Sequence, residues 1–254
     1  MALNKKTLTK IAKIEKEWDY ILISDWEKII SDFTIKDDMQ SAKEIYKIAL
    51  KKADEFLESG ISGGMTICNF MDVAISVSQK NYNVEIKNEY VERPGLNDGT
   101  WANQILEDLI PKFKFFDDLL DISRSFFHIK NKKSSIKLLE KIIDDLINGN
   151  PGILEANKSM KQGIFPGKKV SEDYSLSHSL IECADFIGGE YGLKDRTWAF
   201  KIVEESVKLS DSSVDYYNVA NHVLKDGFNL EGESGYRFIY DNITLDWFKN
   251  IILQ

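Results

Sequence analysis

Apolar side chains recur at helical spacing along almost the whole chain, as at Ile45, Ile48, Ala49 and Leu57, or at Ile202, Val203 and Val207. Strand-like alternation is scarce, so the pattern predicts an all-α protein. Five segments share one motif: Ser or Trp, a small residue, two mostly polar positions, then two apolar ones. They are Ser41-Ala42-Lys43-Glu44-Ile45-Tyr46, Trp101-Ala102-Asn103-Gln104-Ile105-Leu106, Ser134-Ser135-Ile136-Lys137-Leu138-Leu139, Trp198-Ala199-Phe200-Lys201-Ile202-Val203 and Ser234-Gly235-Tyr236-Arg237-Phe238-Ile239. A small side chain at a fixed place in each predicts a close helix crossing.

After each of the first four comes a second motif: a short polar residue, two apolar, one polar, one apolar, then Ala or Ser. It reads Asn69 to Ala74, Asp118 to Ser123, Ser179 to Ala184 and Asp215 to Ala220. The two motifs together describe a helical hairpin. The small residue of the first helix steps by 60, 33, 64 and 36 residues, so two intervals carry an insertion. One is divided between Ser59 to Gly64 and Asn83 to Gly95; the other runs from Asn148 to Asp173, with Asn-Pro-Gly and Phe-Pro-Gly turns.

Two helices per unit with a small residue at the crossing resembles the tetratricopeptide class of helical repeats, over residues 36–240. The link Gly192-Leu193-Lys194-Asp195 before Trp198-Ala199 is similar in kind, whereas the Gly-Tyr spacing and terminal proline of that class are absent. The resemblance implies an α-solenoid of stacked hairpins whose surface binds protein or peptide partners. The expected organisation is a single repeat domain over 1–254: an N-terminal cap at 1–35, repeats at 36–240 and a C-terminal cap at 241–254.

Composition changes this picture in three ways. With 43% hydrophobic residues and only 4 prolines, the chain has the makings of a folded helical core. A net charge of -8 argues against nonspecific binding to nucleic acid or to an anionic membrane. From Val170 to Gln254 there are 15 acidic and 7 basic residues, leaving 26 of each sign before them, so the excess negative charge lies in the C-terminal third. Neither a bilayer-length apolar run nor a signal-peptide pattern occurs, and Cys68 and Cys183 fall inside predicted helices as buried free thiols; a cytoplasmic location follows as the expectation.

Candidate chemistry has to be separated from the repeat. Asp117-Asp118-Leu119-Leu120-Asp121 resembles the aspartate-rich box that holds magnesium and a diphosphate in helical isoprenoid synthases. Yet Asp118 and Asp121 occupy the same repeat positions as Asn69 and Asp72, Ser179 and Glu182, and Asp215 and Asn218, and no second box occurs. His128, His178 and His222 lack the spacing of a zinc site, and Gly60, Gly63 and Gly64 precede no phosphate-loop Lys-Ser or Lys-Thr. No catalytic residue, cofactor site or metal site is assigned.

What the repeat leaves over is a set of polar stripes three residues apart on the second helices: Asp118, Asp121, Arg124; Ser179, Glu182, Asp185; Asp215, Asn218, Asn221. Aligned across a solenoid they form a mainly acidic ribbon, either a solvated outer face or a binding surface. The inserted segment, with Lys158, Lys161, Lys168 and Lys169, is a further candidate. The sequence therefore points to a non-enzymatic protein-binding repeat. Asp118, Asp121, Glu182, Asp185, Asp215 and Asn218 would face a partner with a basic surface. In size, charge and architecture it looks like some bacterial immunity proteins that mask toxin domains. Two other classes stay open: a magnesium-dependent helical enzyme using Asp117, Asp118 and Asp121 on a diphosphate, and an adaptor that self-associates through open solenoid ends.

Overall fold

The structure is a computed structural model that describes residues 3, 5–17, 23–58, 64–86, 89–150, 176–210 and 213–221. Among these residues it is mostly helical: α1 (Lys5–Glu17), α2 (Ile23–Thr34), α3 (Met39–Glu58), α4 (Gly64–Ser78), α5 (Gly99–Leu109), α6 (Phe116–His128), α7 (Lys132–Ile147), α8 (Leu176–Gly188), α9 (Arg196–Lys208) and α10 (Ser213–Asn221). A short 3-10 turn, Ile110–Lys112, follows α5. No helix among the described residues is long and apolar enough to cross a membrane.

The first four copies of the first motif fall on α3, α5, α7 and α9, and the four copies of the second on α4, α6, α8 and α10. The fifth first-motif segment, the expected C-terminal cap and all but the first three residues of the 148–173 insertion lie outside the described residues. The small position is sealed in every described first helix, Ala42, Ala102, Ser135 and Ala199 each having no exposed surface. The apolar pairs three and four residues later, such as Ile45 with Tyr46 and Ile202 with Val203, are buried on the same helical face.

A strict local rule joins the helices. Asp37, Asn97, Lys130 and Lys194 are the non-glycine residues with positive φ among those described, at 58°, 52°, 65° and 61°. Each immediately precedes an Asp or Asn that opens a first helix: Asp38, Asp98, Asn131 and Asp195. The side chains of Asp38, Asp98 and Asp195 accept from the backbone N–H of Ser41, Trp101 and Trp198 at 3.1, 2.9 and 3.0 Å, capping donors that the helix leaves unpaired. The backbone N–H of all four turns the other way, to a carbonyl near the end of an earlier helix: Phe33, Val77, Phe126 and Ile187. At α2/α3 and α6/α7 this is the Schellman pattern, Asp38 and Asn131 bonding back to Phe33 and Phe126 while Asp37 and Lys130 bond to Thr34 and Phe127.

The other two junctions are wider and share the sequence Gly-Leu-x-Asp-x-Thr-Trp-Ala, at 95–102 and 192–199. Close approach of backbone explains the glycine: a Cβ on Gly95 would stand 2.1 Å from the Gln79 carbonyl oxygen, and one on Gly192 1.8 Å from that of Phe186. At the first of these junctions an antiparallel hairpin, β1 (Asn81–Ile86) with β2 (Glu89–Pro94), leaves and returns beside the end of α4, with the Gly95 N–H bonding to the Lys80 carbonyl. Among the described residues this hairpin is the one sheet in an otherwise mainly helical protein. In β1 Tyr82 is buried between exposed Asn81 and Asn83, the period-2 signature of a strand with one covered face.

The chain divides into two compact units, residues 1–113 with 125–132, and residues 114–124 with 133–254. In the first unit α2 packs on α3 and on the strand hairpin, and α4 packs on α5, around Trp26, Ile30, Ile45 and Tyr46. In the second, α8 and α9 form the most extensive helix pair and α10 lies against both. Their crossing is stitched by buried hydroxyls: Ser177 Oγ lies 2.8 Å from Ser206 Oγ and 2.9 Å from Ser210 Oγ, while Ser206 Oγ donates to the Ser177 carbonyl at 2.9 Å. Likewise Ser123 of α6 donates to the carbonyl of Ser135 on α7 at 3.0 Å.

Two substitutions test the junction rule by urea denaturation. Lys130→Gly relieves a side chain from the left-handed region and raises unfolding free energy by about 1 kcal/mol. Gly192→Ala forces backbone apart and lowers it by about 2 kcal/mol or more; unchanged stability in both would show that the junctions do not constrain the fold.

Candidate functional site

The polar side chains of α6 and α8 gather in the second unit. Helix α6 turns Leu120 and Ile122 wholly inward, which leaves Asp117, Asp118, Asp121 and Arg124 in contact with solvent. Two acids in the first turn also suit the positive end of the helix dipole. The Arg124 guanidinium bonds to Asp121 Oδ1 at 2.9 Å and lies 5.9 Å from the centre of the Phe186 ring on α8. On α8 the His178 Nε2 stands 3.4 Å from Glu182 Oε1, one helical turn away.

Charge is balanced unevenly there. Withdrawal from water pushes the Asp117 carboxyl up, Glu182 and Asp121 push it further, and His178 and Arg124 oppose them. Asp118 is half-buried: desolvation first, then Asp117 and Asp121, push its carboxyl up to about 6. Nearby Cys183 is fully buried, and burial raises its thiol far above the ordinary range, the opposite of an activated nucleophile. Among the described residues no three His, Cys, Asp or Glu side chains stand together as a metal site.

The stripes expected from the sequence are only partly brought to one surface. Asp118, Asp121, Glu182 and Asp185 keep solvent contact on α6 and α8, and Asn218 is half-buried on α10. Asp215 is not on a solvated face: it is 2% exposed, while Tyr217 two residues on is 67% exposed. The reason is the packing of α10 against both α8 and α9, which turns Asp215, Tyr216 and Val219 inward and rotates the face away from the one the repeat implies. Ser179 is buried as well. Pairs along this face run at both spacings, Asp121 with Arg124 at three and His178 with Glu182 at four, so spacing three alone leaves His178 outside the stripes.

A second constellation, in the first unit, has no counterpart among the expected residues. Asp98 divides its carboxylate between two jobs: Oδ1 caps α5 at Trp101 N, and Oδ2 accepts from Lys43 Nζ at 2.8 Å. The same ammonium stands 4.6 Å from the centre of the Trp101 ring, which meets Tyr46 edge-on at 6.4 Å. Lys43 and the Trp101 N–H hold the Asp98 carboxyl below the usual carboxylate range. Carboxylate and indole thus form a cradle for one ammonium.

The raised Asp118 carboxyl has a pH signature. A folded-state pKa above the unfolded one favours folding when the group is protonated, so its contribution is present below about 4 and is lost as pH rises through about 6. Asp118→Asn removes the burden: it stabilises the protein by about 1 kcal/mol at pH 7.5, a value reduced for partial solvent screening, and adds nothing at pH 4. Thermal melts at the two pH values check this, and equal effects at both would show that Asp118 is ordinary. Neither the family models nor the curated proteins nor the solved structures contain a match to this chain.

Proposed function

We propose that this chain is a non-enzymatic, cytoplasmic helical-repeat protein that binds a basic protein partner. Its hairpins are read as a tetratricopeptide-like solenoid and its acidic α8 face as part of the contact surface. The observation that carries the reading is the junction rule: a left-handed residue followed by Asp or Asn recurs before α3, α5, α7 and α9, that Asp or Asn always four residues ahead of a buried small side chain. Regular junctions of this kind present successive second helices in a repeated way, which is how helical arrays build extended recognition surfaces. Charge supplies selectivity, because Glu182 and Asp185 lie in the third of the chain that carries the negative excess. A toxin domain with a basic surface is one partner that fits this description.

The diphosphate-enzyme alternative meets a physical obstacle: Asp121 is already engaged by Arg124, whereas magnesium requires free, ionised carboxylates.

Affinity capture from the native lysate, followed by calorimetry with the partner identified, tests the proposal. Glu182→Lys with Asp185→Lys weakens binding about tenfold or more while circular dichroism shows unchanged helicity. Unchanged affinity at low salt would remove the α8 face from the interface, and a thermal shift with magnesium would reinstate the enzyme.

A further inference from the structure

The strand hairpin of the first unit has two strands, and among the described residues no third strand pairs with either edge. Its register fixes which backbone groups face outward. Ile86 and Glu89 stand opposite each other with only two residues between them, and at the far end the Gly95 N–H meets the Lys80 carbonyl at 2.6 Å. A closing pair this tight exchanges its own N–H and carbonyl groups, so the hydrogen-bonded pairs above it are Val84 with Val91 and Tyr82 with Arg93. In β2 the N–H groups of Tyr90 and Glu92 therefore point away from β1, and Pro94, which has none, ends that edge. Side chains divide by the same alternation. Arg93 shares the covered face with Tyr82, whereas Tyr90, Glu92 and Pro94 lie on the other face, all exposed, Tyr90 by 78%. Arg93 Nε is buried and has no hydrogen-bond partner among the described residues.

We infer that the outer edge of β2 pairs antiparallel with β2 of a second copy of this chain, about a two-fold axis at Val91. Charge chooses this register. Centred on Val91, Glu89 of each copy faces Arg93 of the other, the N–H and carbonyl of Tyr90 meet those of Glu92, and Val91 meets itself. Centring on Glu92 would set like carboxylates against each other and ask Pro94 for an N–H opposite Tyr90. Centring on Tyr90 would leave Arg93 facing no acid. Charges and a proline ordinarily keep an edge strand from pairing. Here opposite signs stand two residues either side of one valine, so the edge complements itself, as a two-fold contact requires, and Arg93 gains an acceptor. The strand is short, which makes the dimer a weak one, with a Kd on the order of 100 μM.

Sedimentation velocity of the full chain, over a dilution series reaching several times that concentration, reads the contact as a mean mass rising from monomer toward dimer. Glu92→Pro removes an outward N–H, leaves the ladder to β1 intact, and weakens association about tenfold or more with unchanged circular dichroism. Glu89→Arg and Arg93→Glu each place like charges across the axis, and each stays monomeric. Mixed together they associate again, because each supplies the sign that the other has lost. Should Arg93→Glu fail to fold, amide hydrogen exchange of the unaltered chain decides: the Tyr90 and Glu92 amides gain protection with concentration, while that of Val91, already bonded to β1, does not. The inference is overturned by a monomer mass constant to the highest concentration, by a dimer indifferent to Glu92→Pro, by a mixture that associates no better than its components, or by Tyr90 and Glu92 amides that exchange independently of concentration.

Discussion

Everything regular in this molecule depends on one backbone problem, the end of a helix followed closely by the start of another. The last carbonyls of one helix and the first N–H groups of the next are all without helical partners, and buried polar groups left so are costly. A residue in the left-handed region reverses the chain, and the N–H of the Asp or Asn after it returns to the outgoing helix, while at Asp38, Asp98 and Asp195 the side chain also caps the incoming one. Four times the chain accepts Asp, Asn or Lys at positive φ for this, at a cost of about 1 kcal/mol each where glycine would cost least. Because the cap fixes where the new helix begins, the residue four positions on is fixed too. Its N–H bonds to the cap carbonyl at Ala42, Ala102 and Ala199, and its side chain falls where helices press together.

The same constraint explains how insertions are absorbed. Asp98 and Asp195 end connections of very different length, one carrying a complete strand hairpin, yet both cap N–H groups return to the last turn region of the preceding helix, at Val77 and Ile187. A hairpin whose ends are already side by side adds little closure entropy, so it can be placed there without moving the helix that follows. The glycines three residues before these caps let the returning chain pass against the helix terminus; they are requirements of space, with no need of unusual φ.

This division of labour accounts for what the sequence disclosed. The buried crossing residues and the two sets of helices were legible because steric demand at a crossing admits only Ala, Ser or Gly, and such a narrow choice survives as a visible repeat. Helix faces were less legible. Asp215 shares its repeat position with Asp118, but the face a short helix buries is decided by its neighbours, and α10 has two. The strands were missed although Tyr82, Val84 and Ile86 alternate with Asn81, Asn83 and Glu85, because six residues of alternation weigh little beside helical periodicity on both sides. The octapeptide is less visible in the helical pattern because its identity begins in the loop before the helix, where no apolar periodicity marks it.

The most informative comparison is therefore between the two octapeptides rather than among all four junctions. Gly, Leu, Asp, Thr, Trp and Ala recur, and structural duties account for the Gly, the Asp cap and the Ala. Packing alone does not demand tryptophan, since Ser41 and Ser134 stand at the equivalent place in the tight junctions. In the first copy the indole has a task, pressing on Tyr46 and covering Lys43. In the second the same cap opens α9, but Lys194 and Arg196 flank Asp195 where Asn97 and Gly99 flank Asp98, so the turn is shared while the charges around it are not.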